Sequence, residues 1–396
     1  MRKLYLDPPL QLVFGITLMV VLGVSTIFPV IPDMMRDFDL DPTAVGLIIT
    51  VFTLPGIVLA PLVGILADRY GRRAVLLPSL VIFGVFGGLC ALAPDFHFLL
   101  ALRFVQGVGA AALGMLATTL IGDMYHGRDL ATAMGYNAAV LSIGTASYPA
   151  LGGLLGMLGW RAPFLLHLSA LPLAWLLARK LQVKPMEKGE PFMTYIRSAC
   201  RHMNTPATLG LLATTFAAFI LLYGPVITFY PILLDQRFEA SPVAIGLIIS
   251  SASVFAGMGA SQLGRITVVV SEAWLIRLGC VLYAACFALT PFLGDKWLLI
   301  LPMCLFGLAQ GATLPSMTTL LSRMAPNRYR AGYMAMYGTL LRLGQTVGPL
   351  LAGGVHAWLS LDSVFLAASL LALAMLATAM AFVPPAACRI RTEDHQ

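Results

Sequence analysis

The sequence predicts an all-α integral membrane protein in which twelve transmembrane helices form two pseudo-symmetric six-helix bundles. Three observations lead to this prediction: an apolar composition, twelve long apolar runs and an internal repeat. The chain has 396 residues, of which 59% are hydrophobic and 11% are charged. A soluble domain carries roughly 25% charged residues, so this chain has too little polar surface to face water on all sides.

Twelve apolar runs each have the length of a membrane span. A helix needs about 20 mostly apolar residues to cross a bilayer, and it must satisfy its own backbone hydrogen bonds there. The runs lie at residues 10–32, 43–66, 75–93, 96–122, 129–156, 162–181, 206–233, 243–263, 273–291, 295–322, 331–354 and 361–383. They are too long for the strands of a membrane barrel, so helices are predicted.

The two halves of the chain repeat each other. Residues 37–49 and 237–249 align without a gap at an offset of 200 residues. Pro149 in the fifth run has a counterpart in Pro349 in the eleventh, and Gln106-Gly107 is matched with Gln310-Gly311. Two six-helix halves with the same orientation follow from this repeat.

The distribution of the basic residues indicates the topology. With a cytoplasmic N-terminus, nineteen of the 25 Lys and Arg residues fall on the inner side, four fall outside and two lie within helices. This asymmetry follows the positive-inside rule and places both termini in the cytoplasm. The net charge of +7 is therefore a topology signal, and no nucleic-acid partner is expected. We place the first bundle at residues 1–181, a cytoplasmic linker at 182–204 and the second bundle at 205–396.

A short charged turn separates the second and third apolar runs. It has the pattern Gly64-x-x-x-Asp68-x-x-Gly71-Arg72-Arg73, and Asp123 ends the fourth run on the same side. Gly71 permits a tight reversal, and Asp68 can pair with a basic residue or cap a helix. The turn could be a simple topogenic anchor, or an ionic latch that opens and closes as a gate.

The two halves differ at this turn. The position that matches Asp68 is Val268, so the charged turn is found in the first half only. Asp123 could pair with Arg72 or with Arg69, which would extend the predicted latch to the fourth helix.

These patterns resemble the major facilitator superfamily, and within it the twelve-helix drug:proton antiporters. The similarity rests on the charged turn, on Leu22-Gly23-x5-Pro29-Val30-x-Pro32, on Arg103-x-x-Gln106-Gly107, and on the fifth run. The helix-packing motif there and its second copy comprise Gly144, Tyr148, Pro149, Gly152, Gly153, Gly348 and Pro349. Tyr148 stands where the antiporter pattern has glycine, and it could fill a gap or narrow the transport path.

The resemblance implies a secondary transporter that works by alternating access, with the first, fourth, seventh and tenth helices around the substrate. The polar and aromatic candidates for the substrate cavity are Thr26, Gln106, Asn137, Tyr223, Gln310, Tyr337, Arg342 and Gln345. Core packing also uses Tyr and Gln, so these residues could instead be structural.

Arg103 and Arg342 are the two basic residues assigned to the interior of predicted helices, which makes each a functional candidate. A structural role, in which the guanidinium holds backbone carbonyls, is the alternative. We assign Arg103 and Asp33 to proton coupling. No carboxylate is predicted at mid-membrane, so Asp123, His97 and His167 are further candidates for a proton site, although His167 could be a packed histidine.

The favoured function is proton-driven export of small amphiphilic compounds such as drugs by a monomer in the bacterial inner membrane. The alternative is a proton-coupled carrier of an anionic metabolite, which the two buried arginines favour. A membrane enzyme is disfavoured, because the sequence contains no catalytic motif, metal-ligand pattern or cofactor motif. The expected partners are a small-molecule substrate, protons and the lipid bilayer.

Overall fold

The computed structural model describes residues 4–180, 203–326 and 329–383, apart from the side chains of residues 60, 61, 64, 65, 68 and 331. These residues form twelve long helices and no strand. The helices are α1 Pro8–Asp37, α2 Leu47–Tyr70, α3 Arg72–Leu92, α4 Phe96–Met124, α5 Gly127–Gly156, α6 Ala162–Lys180, α7 Pro206–Phe238, α8 Pro242–Ile266, α9 Glu272–Phe292, α10 Ile300–Met324, α11 Arg330–Trp358 and α12 Leu361–Phe382. Their ends lie within five residues of the predicted runs, which confirms the all-α fold.

Eleven helices of the described part are long and apolar enough to cross a membrane. The twelfth predicted span is α11, which has 29 residues. Its composition is more polar, because it carries Arg342 and Gln345 within its length.

Local signals in the sequence set several helix starts. Asp95 accepts a hydrogen bond from the Phe98 amide at 2.9 Å and so caps α4. Ser360 caps α12 in the same way, through the Ser363 amide at 3.2 Å. Such caps satisfy amide groups that the first helical turn leaves without partners.

The first helix of each half departs from regular α-helical geometry beyond its midpoint or close to it. In α1, Phe28–Val30 forms a 3₁₀ turn that includes Pro29. In α7, Leu222–Phe229 is π-helical and contains Pro225. Proline removes an amide donor and disturbs the regular ladder, and π-helical turns are often found at functional sites.

The chain divides into two compact units. The first contains α1–α6 together with Leu234–Ser250, and the second contains the remainder of α7 and α8 with α9–α12. The predicted boundary differs from this division at Leu234–Ser250, because that segment packs on α5. Most of the predicted linker lies outside the described residues.

Within the first unit, α4 is central, because α1, α2 and α3 all pack against it, and α1 also packs on α5. Within the second unit, α9 packs on α10 and α12, while α7 packs on α11 and α12. The pairs α3–α4 and α1–α5 thus recur as α9–α10 and α7–α11, as an internal repeat requires.

Backbone details confirm the repeat at an offset of 200 residues. Asp39 and Glu239 both have left-handed backbone conformations, with φ values of 50° and 47°. A Cβ atom on Gly107 would lie 2.1 Å from the Phe52 carbonyl oxygen, and one on Gly307 would lie 2.1 Å from that of Ala252. The predicted match between Gly107 and Gly311 is therefore wrong by about one helical turn, and Gly307 is the true counterpart.

Candidate functional site

Arg103 lies at the centre of a polar cluster inside the first unit. Its side chain has no exposed surface. Its Nη1 donates to the Gly23 carbonyl at 3.0 Å and to Gln106 Oε1 at 2.7 Å, and its Nε donates to the Ile48 carbonyl at 3.4 Å. The guanidinium therefore links α1, α2 and α4.

The partners of Arg103 are neutral. The guanidinium carbon lies 4.1 Å from the ring centre of Phe52, within the range of a cation–π contact. Carbonyl oxygens and an aromatic face stabilise the positive charge without cancelling it. Asp33, the second residue assigned to proton coupling, belongs to a different cluster.

Glycine explains why Arg103 can reach these partners. The Cβ atom that Gly107 lacks would lie 2.1 Å from the Phe52 carbonyl oxygen. Only glycine allows α4 to approach α2 this closely. The same approach brings Ile48 and Phe52 within reach of Arg103, one helical turn away along α4.

His167 lies in the same interior. It occupies the 3₁₀ turn Leu166–Ser169 of α6 and has no exposed surface. Its Nδ1 lies 2.9 Å from the Phe164 carbonyl oxygen. An oxygen acceptor requires that Nδ1 carries the proton.

The first-half candidates for the substrate cavity are buried. Thr17 donates to Asn137 Oδ1 at 2.7 Å and thereby joins α1 to α5. Thr26 donates to the Leu22 carbonyl of its own helix at 3.1 Å. Gln106 Oε1 accepts from Arg103 Nη1, so each of the three candidate side chains has at least one hydrogen-bond partner inside the unit.

A second polar cluster lies in the second unit. Gln345 Nε2 donates to the Tyr223 hydroxyl at 3.0 Å and so connects α11 to the π-helical segment of α7. Arg342 lies three residues before Gln345, on the adjoining turn of α11, and acts electrostatically on Tyr223. All three side chains are half-buried. Tyr223, Arg342 and Gln345 thus combine a phenol, a cation and an amide at one place.

Glycines bring α7 and α11 together around this cluster. A Cβ on Gly224 would lie 2.6 Å from the Gly348 carbonyl oxygen, and one on Gly348 would lie 3.0 Å from that of Ile220. The two remaining second-half candidates are Tyr337, which is buried on α11, and Gln310, which is half-buried on α10.

The charged turn adopts the predicted reversal. Gly71 lies between α2 and α3 with φ 91° and ψ 146°, a conformation that other residues rarely adopt. Arg73 donates to the Ala178 carbonyl at the end of α6. The side chain of Asp68 and the surroundings of Gly64 lie outside the described part of the structure.

Asp123 pairs with Arg72, one of the two partners that the sequence allowed. Arg72 Nε lies 3.2 Å from Asp123 Oδ2, and Arg72 is 7% exposed. The pair joins the first turn of α3 to the last turn of α4.

Sequence reasoning missed a corresponding pair in the second unit. Arg323 Nη1 lies 2.6 Å from Glu272 Oε1, and Glu272 is 2% exposed. Glu272 and Arg323 follow Arg72 and Asp123 by 200 residues each, with the two charges exchanged. The offset of 200 residues, applied to Arg72 and Asp123, gives Glu272 and Arg323 directly.

Glycines of the motif on α5 lie close to neighbouring backbone and side chains. A Cβ on Gly152 would lie 2.1 Å from the Thr26 carbonyl oxygen of α1, and one on Gly153 would lie 2.3 Å from that of Pro242. Gly144 faces Leu18 of α1. Tyr148 is half-buried beside Gly144, on a helix whose regular ladder Pro149 interrupts.

Asp33 takes part in an ionic cluster that the sequence did not indicate. Arg36 donates to Asp33 and, through Nη1, to Asp235 Oδ2 at 2.7 Å. This cluster joins the end of α1 to Leu234–Ser250 within the first unit. Because Arg36 is 59% exposed, solvent screens these charges.

Two repeated helical units, apolar spans and polar clusters buried between helices define a multi-pass integral membrane protein of the kind that moves solutes. The profile of the Major Facilitator Superfamily matches residues 13–237 and 207–393. The chain therefore belongs to the Major Facilitator Superfamily.

Named relatives place it near the drug-efflux transporters of that family. It is 27% identical over 357 residues to the class C tetracycline resistance protein of Escherichia coli, covering 88% of this chain and 89% of the relative. It is 26% identical to multidrug resistance protein 2 of Bacillus subtilis, covering 84% of both chains. It is 25% identical to the quinolone resistance protein NorA of Staphylococcus aureus, covering 85% of this chain and 87% of NorA.

Solved structures share the fold at lower identity. The nucleoside transporter NupG aligns with a TM-score of 0.78 and 15% identity, covering 95% of this chain and all of NupG. A bacterial homologue of the human lysosomal transporter Spinster aligns with a TM-score of 0.75 and 18% identity, covering 96% of this chain and 95% of the homologue.

Proposed function

We propose that the protein exports small amphiphilic compounds, including drugs, across the bacterial inner membrane in exchange for protons. The observation that carries this proposal is the similarity, over more than four fifths of the chain, to relatives named for resistance to tetracycline, quinolones and multiple drugs. Both termini are proposed to be cytoplasmic, as the distribution of basic residues predicts.

The polar clusters suggest a division of labour. Tyr223, Gln345 and Arg342 are half-buried, and they offer hydrogen-bond donors, an acceptor and an aromatic face to a substrate. Arg103 is fully buried among neutral partners and links three helices. We therefore assign substrate contact to the first group and ion coupling to the second.

The ion pairs at the ends of helices supply candidates for gating. Arg72–Asp123 and Glu272–Arg323 each join the start of one helix to the end of the next. Such contacts can form in one state of a transport cycle and break in another at modest cost, because one partner of each pair is partly exposed to water.

The alternative is a proton-coupled carrier of an anionic metabolite. The cationic side chain of Arg342, half-buried beside Tyr223 and Gln345, favours it. A guanidinium binds carboxylates and phosphates through paired hydrogen bonds.

Drug susceptibility separates the two functions. The protein is expressed in a host that lacks its own efflux pumps, and growth is measured with tetracycline, a fluoroquinolone and ethidium. An exporter raises resistance to several of these unrelated compounds. A protonophore, which collapses the proton gradient, should then restore accumulation of the compounds in the cells. Unchanged susceptibility to all three, at verified expression in the membrane, would refute the export proposal.

The control is Arg103→Ala, which should reach the membrane and confer less resistance. Uptake of organic anions by proteoliposomes, driven by an imposed proton gradient, tests the alternative. Anion uptake without drug resistance would favour the metabolite carrier.

A further inference from the structure

One face of α6 changes its chemical character towards the C-terminal end of the helix. The residues of this face are all exposed and recur every three or four positions: Leu165, Leu168, Pro172, Trp175 and Arg179. Residues at this spacing are neighbours on one side of a helix. In a membrane protein an exposed apolar face lies against acyl chains, aromatic rings favour the interface, and long basic side chains near helix ends reach the headgroups. The order from leucine through tryptophan to arginine therefore follows the layers of a bilayer.

Trp175 positions Arg179 at the end of this face. The guanidinium carbon of Arg179 lies 4.0 Å from the centre of the Trp175 ring, which is a cation–π contact. Trp175 is 53% exposed, so the pair is open to the surrounding membrane. A guanidinium that stacks on a ring keeps its N–H donors in the plane, where they can bind the oxygens of a phosphate.

Two further cations lie at the same end of the seam between α3 and α6. Arg73, in the first turn of α3, donates to the Ala178 carbonyl and so joins the start of α3 to the end of α6. Arg73 and Lys180 are both exposed. No acidic side chain of the described residues forms an ion pair with Arg179 or Lys180. The positive charge of these two side chains therefore faces the membrane surface.

The second unit has a related contact with less exposed charge. Arg277 Nη2 of α9 donates to the Val383 carbonyl, just after α12, at 2.9 Å, and the Arg277 guanidinium carbon lies 5.2 Å from the centre of the Trp274 ring. In the repeat, α9 and α12 correspond to α3 and α6. Arg277 is half-buried, whereas Arg179 and Lys180 are exposed. The first unit is thus the one that presents its cations to a ligand.

We propose that the α3–α6 seam binds the headgroup of an anionic phospholipid in the cytoplasmic leaflet. Arg179 and Lys180 contact the phosphate, Trp175 lies at the level of the glycerol, and the acyl chains follow Leu165 and Leu168. A membrane lipid is the occupant, because the exposed apolar face continues directly from the cations. The basic residues predict that this end of α6 is cytoplasmic, and that leaflet carries a negative surface potential. The site is separate from the polar clusters assigned to substrate and ions, so its test requires no transport.

Fluorescence quenching of Trp175 by brominated lipid measures occupancy of the site. The protein is reconstituted in phosphatidylcholine vesicles that contain a rising fraction of brominated phosphatidylglycerol or, in a parallel series, of brominated phosphatidylcholine. The Trp175 signal is the difference between the wild-type protein and Trp175→Phe. We expect half-maximal quenching at a fraction of phosphatidylglycerol at least fivefold lower than that of phosphatidylcholine, because each basic side chain near an anionic lipid surface contributes a preference of about fivefold. Equal midpoints for the two lipids would overturn the proposal.

An exposed tryptophan elsewhere in the chain controls for the bulk lipid composition. Trp358 lies at the end of α11 and has no cation–π contact with an arginine in the described structure. Its signal, taken as the difference between wild type and Trp358→Phe, should give the same midpoint with both lipids. A preference for phosphatidylglycerol as large at Trp358 as at Trp175 would show a general effect of the anionic lipid and would reject a specific site.

Charge-matched variants locate the binding. Arg179→Gln combined with Lys180→Gln should remove most of the preference for phosphatidylglycerol at Trp175. The matched control, Arg128→Gln combined with Arg265→Gln, removes two exposed cations that the topology places on the same side of the membrane, and it should retain the preference. An equal loss in both double variants, or no loss in the first, would overturn the proposal. Excess inorganic phosphate at constant ionic strength should leave the quenching unchanged, and displacement by phosphate would refute a lipid occupant.

Discussion

Glu272 and Arg323 form an ion pair of 2.6 Å that repeats, with opposite charges, the pair of Arg72 and Asp123 in the first unit. In each unit the pair joins the start of the third helix of the repeat to the end of the fourth. The repeat has therefore preserved the interaction while exchanging the residues. A contact that survives such an exchange is one in which the attraction matters more than the identity of either side chain.

A single substitution should break this ion pair, and exchanging both charges should restore it. Arg323→Asp places a second carboxylate next to buried Glu272 and should lower the melting temperature in detergent. The loss should stay below the roughly 3–5 kcal/mol of a fully buried pair, because Arg323 is 56% exposed. Glu272→Arg combined with Arg323→Asp recreates the order found in the first unit and should recover most of the stability. A double variant no more stable than either single variant would contradict this reading.

Gly71 should be irreplaceable for conformational reasons alone. The methyl group that Gly71→Ala adds would meet no atom within 4 Å, but the alanine would have to adopt a φ of 91°. We expect a loss of about 1–3 kcal/mol in the free energy of unfolding, the approximate cost of placing a residue with Cβ in a sparsely populated backbone region. Gly122→Ala is the control, since its Cβ also meets open space but lies within helix α4. That variant should be neutral or more stable, and equal losses at both positions would rule out a conformational cause.

Asp68→Asn should lower transport sharply without loss of expression. The change retains the shape of the side chain and removes the charge on which the predicted latch depends. The control is Asp129→Asn, which neutralises an exposed aspartate in the first turn of α5. Drug efflux from loaded cells and the amount of protein in the membrane are measured together. Normal efflux by Asp68→Asn would favour the topogenic role of the turn.

Arg103→Lys should uncouple transport from protons. Lysine keeps the charge, but a single ammonium cannot reproduce the planar fork that contacts Gly23, Ile48 and Gln106. Proton-driven efflux should fall while ligand binding by the purified protein persists. Arg128→Lys, an exposed exchange at the start of α5, serves as the control. Equal loss of binding and transport would assign Arg103 to the substrate site, and loss of expression would assign it a structural role.

Arg342→Ala should weaken binding of anionic or hydrogen-bond-accepting ligands and leave neutral apolar ligands little changed. The reason is its position beside Tyr223 and Gln345. Thr339→Ala, a change of a half-buried side chain one turn earlier on α11, is the control. Binding is measured by thermal shift with matched anionic and neutral compounds. An equal effect on all ligands, or no effect on any, would make Arg342 a packing or gating residue.

The sequence by itself determined the class, the number and the ends of the helices, and the repeat. Span length and composition are properties of consecutive residues, and they determine whether a segment can cross the hydrocarbon core of a bilayer. The offset of 200 residues also follows from the sequence alone, and Asp39 and Glu239 confirm it in their backbone angles.

Only the tertiary structure decided which polar groups meet. Arg103 and the Gly23 carbonyl are 80 residues apart, and Gln106 and His167 pack against Gly87 from different helices. Helices that are apolar on all sides carry little periodic signal to show which face turns inward. Their rotation is set by close contacts such as Gly107 against the Phe52 carbonyl, where two backbones approach because a side chain is absent. For that reason the sequence indicated Arg103 as a candidate, whereas its hydrogen-bond partners and the Glu272–Arg323 pair emerged from the packing.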